Sequence, residues 1–118
     1  MGNTLAYNNM QNITKFAAKI STNYSNRVML DIYENTLYET EMELKQNHKN
    51  APIVTIIASV RDKQRMEEVF EKYRPQVVFH AAAHKHVPLM EISPVEAIKN
   101  NVFGTYYCYS YCLLYIYC

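Results

Sequence analysis

Two kinds of hydrophobic pattern alternate along this chain. Over residues 10–24, apolar residues recur at helical spacing and predict an amphipathic helix with a buried face formed by Ile13, Phe16, Ala17, Ile20 and Tyr24. Three short apolar runs predict buried strands instead: RVMLDIY (27–33), PIVTIIASV (52–60) and QVVFHAA (76–82). The chain therefore combines helical segments with strands that are apolar on both faces.

Polar and proline residues between these runs predict three further helices. Asn35 can cap a helix that carries Leu37, Tyr38, Met42 and Leu44 and ends near residues 47–50. Asp62 can cap a helix that carries Met66, Val69, Phe70 and Tyr73 and ends at Pro75. Ser93-Pro94-Val95-Glu96 has the form of a capping box, and the helix it begins should continue through Ile98 and Val102 into the tail.

The predicted order is helix, strand, helix, strand, helix, strand, helix. Parallel strands joined by helices form an α/β sheet with helices on both faces. Ligands of such sheets bind at the carboxyl ends of the strands. Those ends are Asp31, the segment 58–60 and the segment 81–86, so we expect the binding site there.

Composition narrows the possible functions. The 118 residues suffice for one domain, and the net charge of +1, with scattered Lys and Arg, gives no support for binding nucleic acid or an acidic membrane. No long uncharged apolar stretch predicts a membrane span, and the first residues lack the layout of a signal peptide. We therefore expect a cytoplasmic protein.

The last residues differ in composition from the rest. All three cysteines, Cys108, Cys112 and Cys118, and six of the eleven tyrosines lie in YYCYSYCLLYIYC. An odd cysteine count in a cytoplasmic chain disfavours a disulfide framework, and matching metal ligands are missing. Our hypothesis is that residues 106–118 are a Tyr/Cys-rich tail of non-native origin, which arose through truncation or a shifted reading frame.

Three histidines follow the third predicted strand in VVFHAAAHKHVPLME. His80, His84 and His86 first suggest zinc, since imidazole is a common zinc ligand. The spacing disfavours this interpretation because Val77, Val78 and Phe79 indicate a strand rather than a helix turn, and no cysteine lies nearby. The position of these residues at the binding edge favours a role in a ligand site.

The segments LDIYENTLYETEMEL and VRDKQRMEEVFEKYRPQVVFHAAAHKHVPLMEISPVEAIKNNVFGT closely resemble the CapD-like polysaccharide-biosynthesis proteins. This family comprises nucleotide-sugar 4,6-dehydratases, such as UDP-N-acetylglucosamine 4,6-dehydratase, and epimerases of the extended short-chain dehydrogenase type. The resemblance covers about residues 27–105 and is most specific in HAAAHKHVPLME. It implies a Rossmann domain that holds NAD or NADP and acts on a UDP-sugar. Residues 1–26 are then a divergent N-terminal segment with a helix.

For the cofactor, the resemblance implies contacts from Asp31, Ser59, Val60, Ala81, Ala82 and Ala83. Asp31 falls where a carboxylate accepts bonds from both ribose hydroxyls and repels a 2′-phosphate, which favours NAD over NADP, although an acid capping a surface turn is the alternative. Relatives often carry Asp where this chain has Ser59. Val60 is either core or a contact of the adenine ring, and the small alanines allow close approach to the ribose or tight packing.

On the substrate side, the resemblance implies that Lys85, His86 and Asn101 lie beside the sugar nucleotide. An ammonium and an imidazole can bind diphosphate or hydroxyl oxygens there. His84 stands where relatives commonly have Tyr, and His80 is expected to pack at the strand end. Asn101 is equally compatible with a structural role.

The chain also departs from the family. Gly2 and Gly104 are its only glycines, so the glycine-rich turn that follows the first strand is absent, and we expect a partial doubly wound sheet that lacks its first strand. In the strand order 3-2-1-4 this loss leaves two inner edges unpaired, unless NTLAY (3–7) supplies a short strand.

The catalytic pair of the family is missing as well. No lysine has a tyrosine four residues before it, so the Tyr-x-x-x-Lys pair is absent and no catalytic residue can be named. Two interpretations follow. The chain is a fragment of a nucleotide-sugar dehydratase or epimerase that is inactive alone, or it is a non-catalytic interaction module that completes a partner chain or self-associates.

Overall fold

The computed structural model describes residues 18–22, 26–47, 49 and 52–116. Its strands are β1 (Ala18–Thr22), β2 (Asn26–Asp31), β3 (Ile53–Ile57) and β4 (Val77–His80). Its α-helices are α1 (Glu34–Asn47), α2 (Lys63–Tyr73), α3 (Val87–Ile92), α4 (Pro94–Ala97) and α5 (Thr105–Ile116). A π-helical segment, Ile98–Gly104, joins α4 to α5.

The four described strands form one sheet in the order β3-β2-β1-β4. β2 and β3 are parallel, and β1 is antiparallel to both β2 and β4, so β2, β3 and β4 share one direction. The prediction of an α/β fold built on a partial Rossmann-like parallel sheet is confirmed.

The centre of the sheet differs from the prediction in two respects. The helix predicted over residues 10–24 is wrong for residues 18–22, which form β1, whereas residues 10–17, residues 23–24 and NTLAY lie outside the described residues. The two inner edges are not left open, because β1 pairs with β2 on one side and with β4 on the other. Unpaired backbone groups at both inner edges are costly, and a strand in either direction satisfies them.

The sheet packs helices against both of its faces. Met29 contacts the α1 side, where Leu37 and Leu44 are buried, and its neighbours Val28 and Leu30 point to the opposite face. On that second face the core consists of Val28, Leu30, Ile56, Ala58, Val60, Met66, Val69, Phe70, Cys108 and Tyr111. The period-two alternation of β2 therefore explains why its sequence is apolar throughout.

The helix boundaries follow the predictions in part. Asp62 caps α2 as expected by accepting a bond from Arg65 N–H at 3.0 Å, and Arg74, in the left-handed conformation, ends it just before Pro75. α1 begins at Glu34, one residue before the predicted cap Asn35. The capping box at Ser93 is not formed, since the Ser93 side chain makes no capping bond and Glu96 pairs with Arg61 and Lys99.

Helix α5 belongs to the core despite its unusual composition. Tyr111 packs against Phe70, with ring centroids 5.8 Å apart, and its hydroxyl donates to the Lys63 carbonyl at 3.2 Å. Cys108 is buried beside it. The prediction that the last helix runs into the tail is confirmed for residues up to 116. The separation of residues 106–118 as a tail stays a prediction, while Cys108 and Tyr111 of this segment are buried in the core. Within the described part of the chain, no helix is both long and apolar enough to span a bilayer.

The buried thiol of Cys108 gives a test of this docking. Burial, with a smaller contribution from Cys112, raises the pKa of Cys108 to about 12. Thiolate is the reactive form, so the rise from 9.0 to about 12 lowers its population at pH 8 about a thousandfold. We expect iodoacetamide to label Cys108 in the folded chain far more slowly than in urea, with a rate that grows with pH. Peptide mass mapping measures this, and equal rates with and without urea would contradict the docked helix.

Candidate functional site

A cleft of about 390 Å³ opens at the carboxyl edge of the parallel strands. It is bounded by the ends of β2, β3 and β4, and we call it the carboxyl-edge cleft. Its lining residues are Asp31, Ile32, Tyr33, Thr36, Ala58, Ser59, Val60, Arg61, Ala81, Ala82, Ala83, His84 and Asn100. All six residues predicted to contact the cofactor, Asp31, Ser59, Val60, Ala81, Ala82 and Ala83, therefore lie in one cleft.

Asp31 is the last residue of β2 and is only 5% exposed. Its Oδ1 accepts a hydrogen bond from Tyr33 N–H at 2.9 Å, and its carbonyl accepts one from Ala58 N–H at 3.0 Å. The first bond fixes the carboxylate at the turn into α1, and the second ties β2 to the end of β3. Asp31 therefore lines the cleft from a buried position at the end of β2.

The segment after β3 turns tightly along the floor of the cleft. Ser59 Oγ accepts a bond from Arg61 N–H at 3.2 Å, and the Ser59 carbonyl accepts one from Asp62 N–H at 3.0 Å. Val60 is 2% exposed and packs against Gly104. Val60 is therefore a core residue whose contact with a ring stays a prediction.

The alanine segment after β4 is held by two asparagines of the π-helical segment. Asn100, which is buried, donates from Nδ2 to the Ala82 carbonyl at 3.1 Å and to Asn101 Oδ1 at 3.0 Å. Asn101 Oδ1 also accepts from His84 N–H at 2.8 Å, and its Nδ2 donates to the His84 carbonyl at 2.9 Å. These bonds fix the backbone of residues 82–84 as one wall of the cleft.

The predicted substrate residues are placed less uniformly. Lys85 and Asn101 line a second hollow of about 450 Å³ beside the cleft, together with His84, Val87, Met90, Glu91, Pro94 and Ala97. His86 is not among its lining residues and occupies the position before α3, with no capping bond from its side chain. The amide of Asn101 is engaged by the His84 backbone, so its geometry supports a structural role.

Arg61 is a residue of the cleft that the sequence did not single out. Its Nη1 lies 2.6 Å from Glu96 Oε2, and Lys99 Nζ lies 3.2 Å from the other oxygen of the same carboxylate. Hydrogen bonds from Lys99 and then Arg61 lower the pKa of Glu96. The pair links the end of β3 to the first turn of α4. Asn100 was also missed, and the only sequence signal was its position beside Asn101.

The three histidines that follow one another in the sequence do not come together in one site. His80 Nε2 lies 2.8 Å from Thr105 Oγ1, which agrees with the expected packing of His80 at the strand end. No three His, Cys, Asp or Glu side chains come together as a metal site within the described ranges.

Gly104 allows the last helix to approach the cleft floor. A Cβ at this position would lie 2.7 Å from Val60 Cγ2, which is stiff and buried. We expect Gly104→Ala to cost about 1–2 kcal/mol, because overpacking outweighs the gain in helix propensity. In the double variant Gly104→Ala/Val60→Ala the two costs should be less than additive by about 1 kcal/mol. Urea unfolding of the four chains tests this, and strict additivity would contradict the contact.

The fold and the cleft define a class. Three strands of one direction flanked by helices, with an acid ending β2 and a small-residue segment following β4 in one cleft, are typical of Rossmann-like nucleotide-binding domains. The family profile described as "Polysaccharide biosynthesis protein" matches residues 11–115. The chain belongs to this family.

Individual relatives agree with this assignment. The chain is 47% identical over 79 residues to the capsular polysaccharide biosynthesis protein CapD of Staphylococcus aureus, a match that covers 66% of this chain and 13% of CapD. It is also 38% identical over 85 residues to a UDP-N-acetylglucosamine 4,6-dehydratase (inverting) of Campylobacter jejuni, covering 66% of this chain and 25% of the enzyme. The chain therefore spans only a small part of the length of each relative.

Solved structures give the same fold. Pen from Bacillus thuringiensis superimposes with a TM-score of 0.64 at 27% identity, covering 75% of this chain and 26% of Pen. A UDP-glucose-4-epimerase from Stenotrophomonas maltophila, solved with bound NAD and formylated UDP-arabinopyranose, superimposes with a TM-score of 0.61 at 24% identity. That match covers 72% of this chain and 25% of the epimerase.

Proposed function

We propose that this chain is the nucleotide-binding part of an NAD-dependent nucleotide-sugar 4,6-dehydratase or epimerase of polysaccharide biosynthesis, working in the cytoplasm. The observation that carries the proposal is the carboxyl-edge cleft, which Asp31, Ser59, Val60 and the alanines 81–83 line together. The family assignment supports the reaction class, and the relatives named dehydratases support a UDP-sugar as the substrate.

The residues of the cleft fit the adenosine end of a nicotinamide dinucleotide. Asp31 accepts hydrogen bonds from the ribose hydroxyls, and the turn at Ser59 and Val60 bounds the base. Ala81, Ala82 and Ala83 let the ligand approach the backbone that Asn100 holds in place. With the dinucleotide held in this way, its nicotinamide would accept a hydride from the sugar and later return it. A 2′-phosphate would face the carboxylate of Asp31, which favours NAD over NADP.

The substrate would extend from the cleft into the second hollow. Lys85 lines that hollow and can pair with a diphosphate oxygen, since an ammonium is a compact point charge with three donors. The amide of Asn101 holds the backbone of His84, which supports a role in positioning the loop, and a contact of His86 with the sugar stays a prediction. No tyrosine precedes a lysine by four residues in the sequence, so the chain alone should bind nucleotide without turning over a UDP-sugar.

Calorimetric titration with NAD tests this proposal. We expect a dissociation constant of about 0.1–1 mM, corresponding to about −4 to −5.5 kcal/mol, and weaker binding of NADP. Asp31→Asn keeps the size of the side chain and an acceptor for Tyr33 N–H but removes the charge, so NAD affinity should fall about tenfold.

Glu34→Gln is the matched control, because Glu34 is exposed at the start of α1 and is not among the lining residues of the cleft. It should leave NAD binding unchanged. Absence of NAD binding by a folded chain, or equal loss in both variants, would contradict the proposed function.

A second candidate function is that of a non-catalytic interaction module, and the last helix favours it. Val95, Ile98, Val102, Tyr106, Tyr109 and Leu113 are all at least 44% exposed and recur every three or four residues along α4, the π-helical segment and α5. No charged residue follows Lys99 in the sequence. A contiguous uncharged apolar stripe of this kind marks a protein contact, and a second copy of the chain could meet it without charge repulsion.

Light scattering after size-exclusion chromatography measures the oligomeric state and so tests whether the chain self-associates. Val102→Lys should shift an oligomer to monomer, whereas Ile57→Lys, at an equally exposed site on edge strand β3, should not. A wild-type chain that is monomeric at all concentrations would contradict self-association.

A further inference from the structure

A hollow of about 640 Å³ follows strand β3 at the edge of the described sheet, and we call it the β3 groove. Residues 54–57 form its floor, and residues of α1 and α2 form its two walls. Because these helices pack on opposite faces of the sheet, they stand above and below the edge of β3. Among the described residues, none lines both this groove and the carboxyl-edge cleft. The β3 groove is therefore a slot beside an edge strand, separate from the proposed nucleotide site.

The floor of the β3 groove offers backbone hydrogen bonds. Ala58 N–H donates to the Asp31 carbonyl at 3.0 Å, so the even-numbered residues of this segment bond to β2. By alternation, the N–H and C=O groups of Thr55 and Ile57 point away from β2 and into the slot. Such a row of donors and acceptors is matched by another extended chain, which adds to the sheet as a strand.

The α1 wall of the groove is acidic. Its lining residues share one face of the helix and are Glu34, Leu37, Tyr38 and Glu41. Tyr38 is 61% exposed and lies along the helix between the two carboxylates. Glu41 pairs with Lys45 at 2.6 Å, but a surface i,i+4 pair contributes little to stability, so another cation can share this carboxylate. A Lys or Arg side chain that reaches this wall would therefore meet carboxylates and an aromatic face.

The α2 wall has a different charge. Its cations are Arg65, whose Nη1 lies 2.9 Å from Glu68 Oε2, and Lys72, whose Nζ lies 5.1 Å from the ring centroid of Tyr73. Two cations against one carboxylate in this wall disfavour a further cation, whereas Val69 and Tyr73 offer apolar surface. Successive side chains of an added strand point to alternate faces of the sheet. The two walls together favour a strand with basic residues toward α1 and apolar residues toward α2.

From these observations we infer that the β3 groove binds an extended partner segment in which Lys or Arg alternates with apolar residues, and which adds to the sheet beside β3. This partner site goes beyond the proposed function, because it involves no nucleotide.

A second copy of the chain is a poorer occupant of the groove. β3 itself, with the sequence IVTII, brings no basic side chain. Antiparallel pairing of two β3 strands about a two-fold axis would also keep both copies of α1 on one face of the joined sheet. Glu34 and Glu41 of one copy would then approach the same carboxylates of the other, and like charges repel.

A titration of the full chain with a synthetic peptide, followed by amide chemical shifts, tests the inference. The probe is an acetylated and amidated heptapeptide of alternating lysine and valine. We expect a dissociation constant of about 0.1 mM, with shifts at residues 53–57 and on the groove faces of α1 and α2. A peptide of alternating glutamate and valine should bind at least about tenfold more weakly. No binding of the lysine–valine peptide by the folded chain, or equal binding of both peptides, would overturn the inference.

Thr55→Pro tests whether the peptide is bound as a strand. It removes an N–H that faces the slot, so the affinity for the lysine–valine peptide should fall at least about tenfold. Thr55→Val keeps that N–H and should change the affinity less than about twofold. Circular dichroism checks that both variants are folded. Equal affinities of the two folded variants would mean that the peptide does not extend the sheet, and the inference would be wrong.

A second pair of variants keeps every backbone donor and tests the acidic wall. Glu41→Gln should weaken the lysine–valine peptide about fivefold, because it removes a carboxylate of the lining. Glu43→Gln makes the same change of charge on the same helix, at an exposed residue outside the lining, and should weaken it less than about twofold. Equal losses would show a nonspecific charge effect and overturn the inference. A dimer of the chain alone that dissociates in Thr55→Pro would assign the groove to a second copy and also overturn it.

Discussion

Replacing Tyr111 by alanine should cost about 3–4 kcal/mol of unfolding free energy, a large share of the stability of a domain this size. The side chain is 6% exposed, its ring centroid lies 5.8 Å from that of Phe70 in a tilted contact, and its hydroxyl donates to the Lys63 carbonyl. Truncation would open a cavity between α2 and α5 and remove the hydrogen bond that the hydroxyl adds at that carbonyl. Urea unfolding followed by circular dichroism measures the loss.

Tyr109→Ala is the matched control, since Tyr109 lies on the same helix and is 61% exposed. Its replacement should change the unfolding free energy by less than about 0.5 kcal/mol. Similar effects of the two substitutions would mean that α5 does not pack in the core, and that the Tyr/Cys-rich segment is an appendage.

A proline at position 20 should destabilise the sheet by about 3 kcal/mol or more. Ile20 pairs with Val28 of β2 and Val78 of β4, so its backbone N–H faces a neighbouring strand whichever way it points. Proline removes one ladder bond and leaves an acceptor unsatisfied at the centre of the sheet. Urea unfolding measures this cost, and the β-sheet signal in circular dichroism follows the loss of structure.

Thr55→Pro provides the comparison within the same sheet. β3 is an edge strand, and because Ala58 N–H donates to β2, alternation directs the N–H of Thr55 to the open edge. Proline is tolerated at such positions, so Thr55→Pro should cost clearly less than Ile20→Pro. The reverse order would show that residues 18–22 do not occupy the central position.

The strands and helices that the sequence predicted correctly are those specified locally. The apolar runs of β2, β3 and β4 and the cap at Asp62 carry their signal within a few residues. Segment 18–22 carries a helical spacing instead, and its strand form depends on two open edges that only the assembled sheet provides. Tertiary pairing therefore overrides the local pattern in this segment.

The residues of the candidate site also fall into two groups, those that the sequence predicted and those that it did not. Asp31, Ser59 and the alanines after β4 were predictable because the carboxyl ends of parallel strands share one edge. The roles of Asn100 and Asn101 depend on how the π-helical segment turns toward residues 82–84, and a helical pattern does not encode this. The pairing of Arg61 with Glu96 likewise joins residues that are distant in sequence.

The most direct test of the nucleotide-binding proposal is to map NAD onto the assigned amide spectrum of the chain. The account predicts shifts concentrated at Asp31, at residues 58–61 and at residues 81–84, with about tenfold more NAD needed to produce them in Asp31→Asn. Shifts confined to other surfaces, or none at saturating NAD with the chain folded, would contradict the assignment of the carboxyl-edge cleft as the binding site.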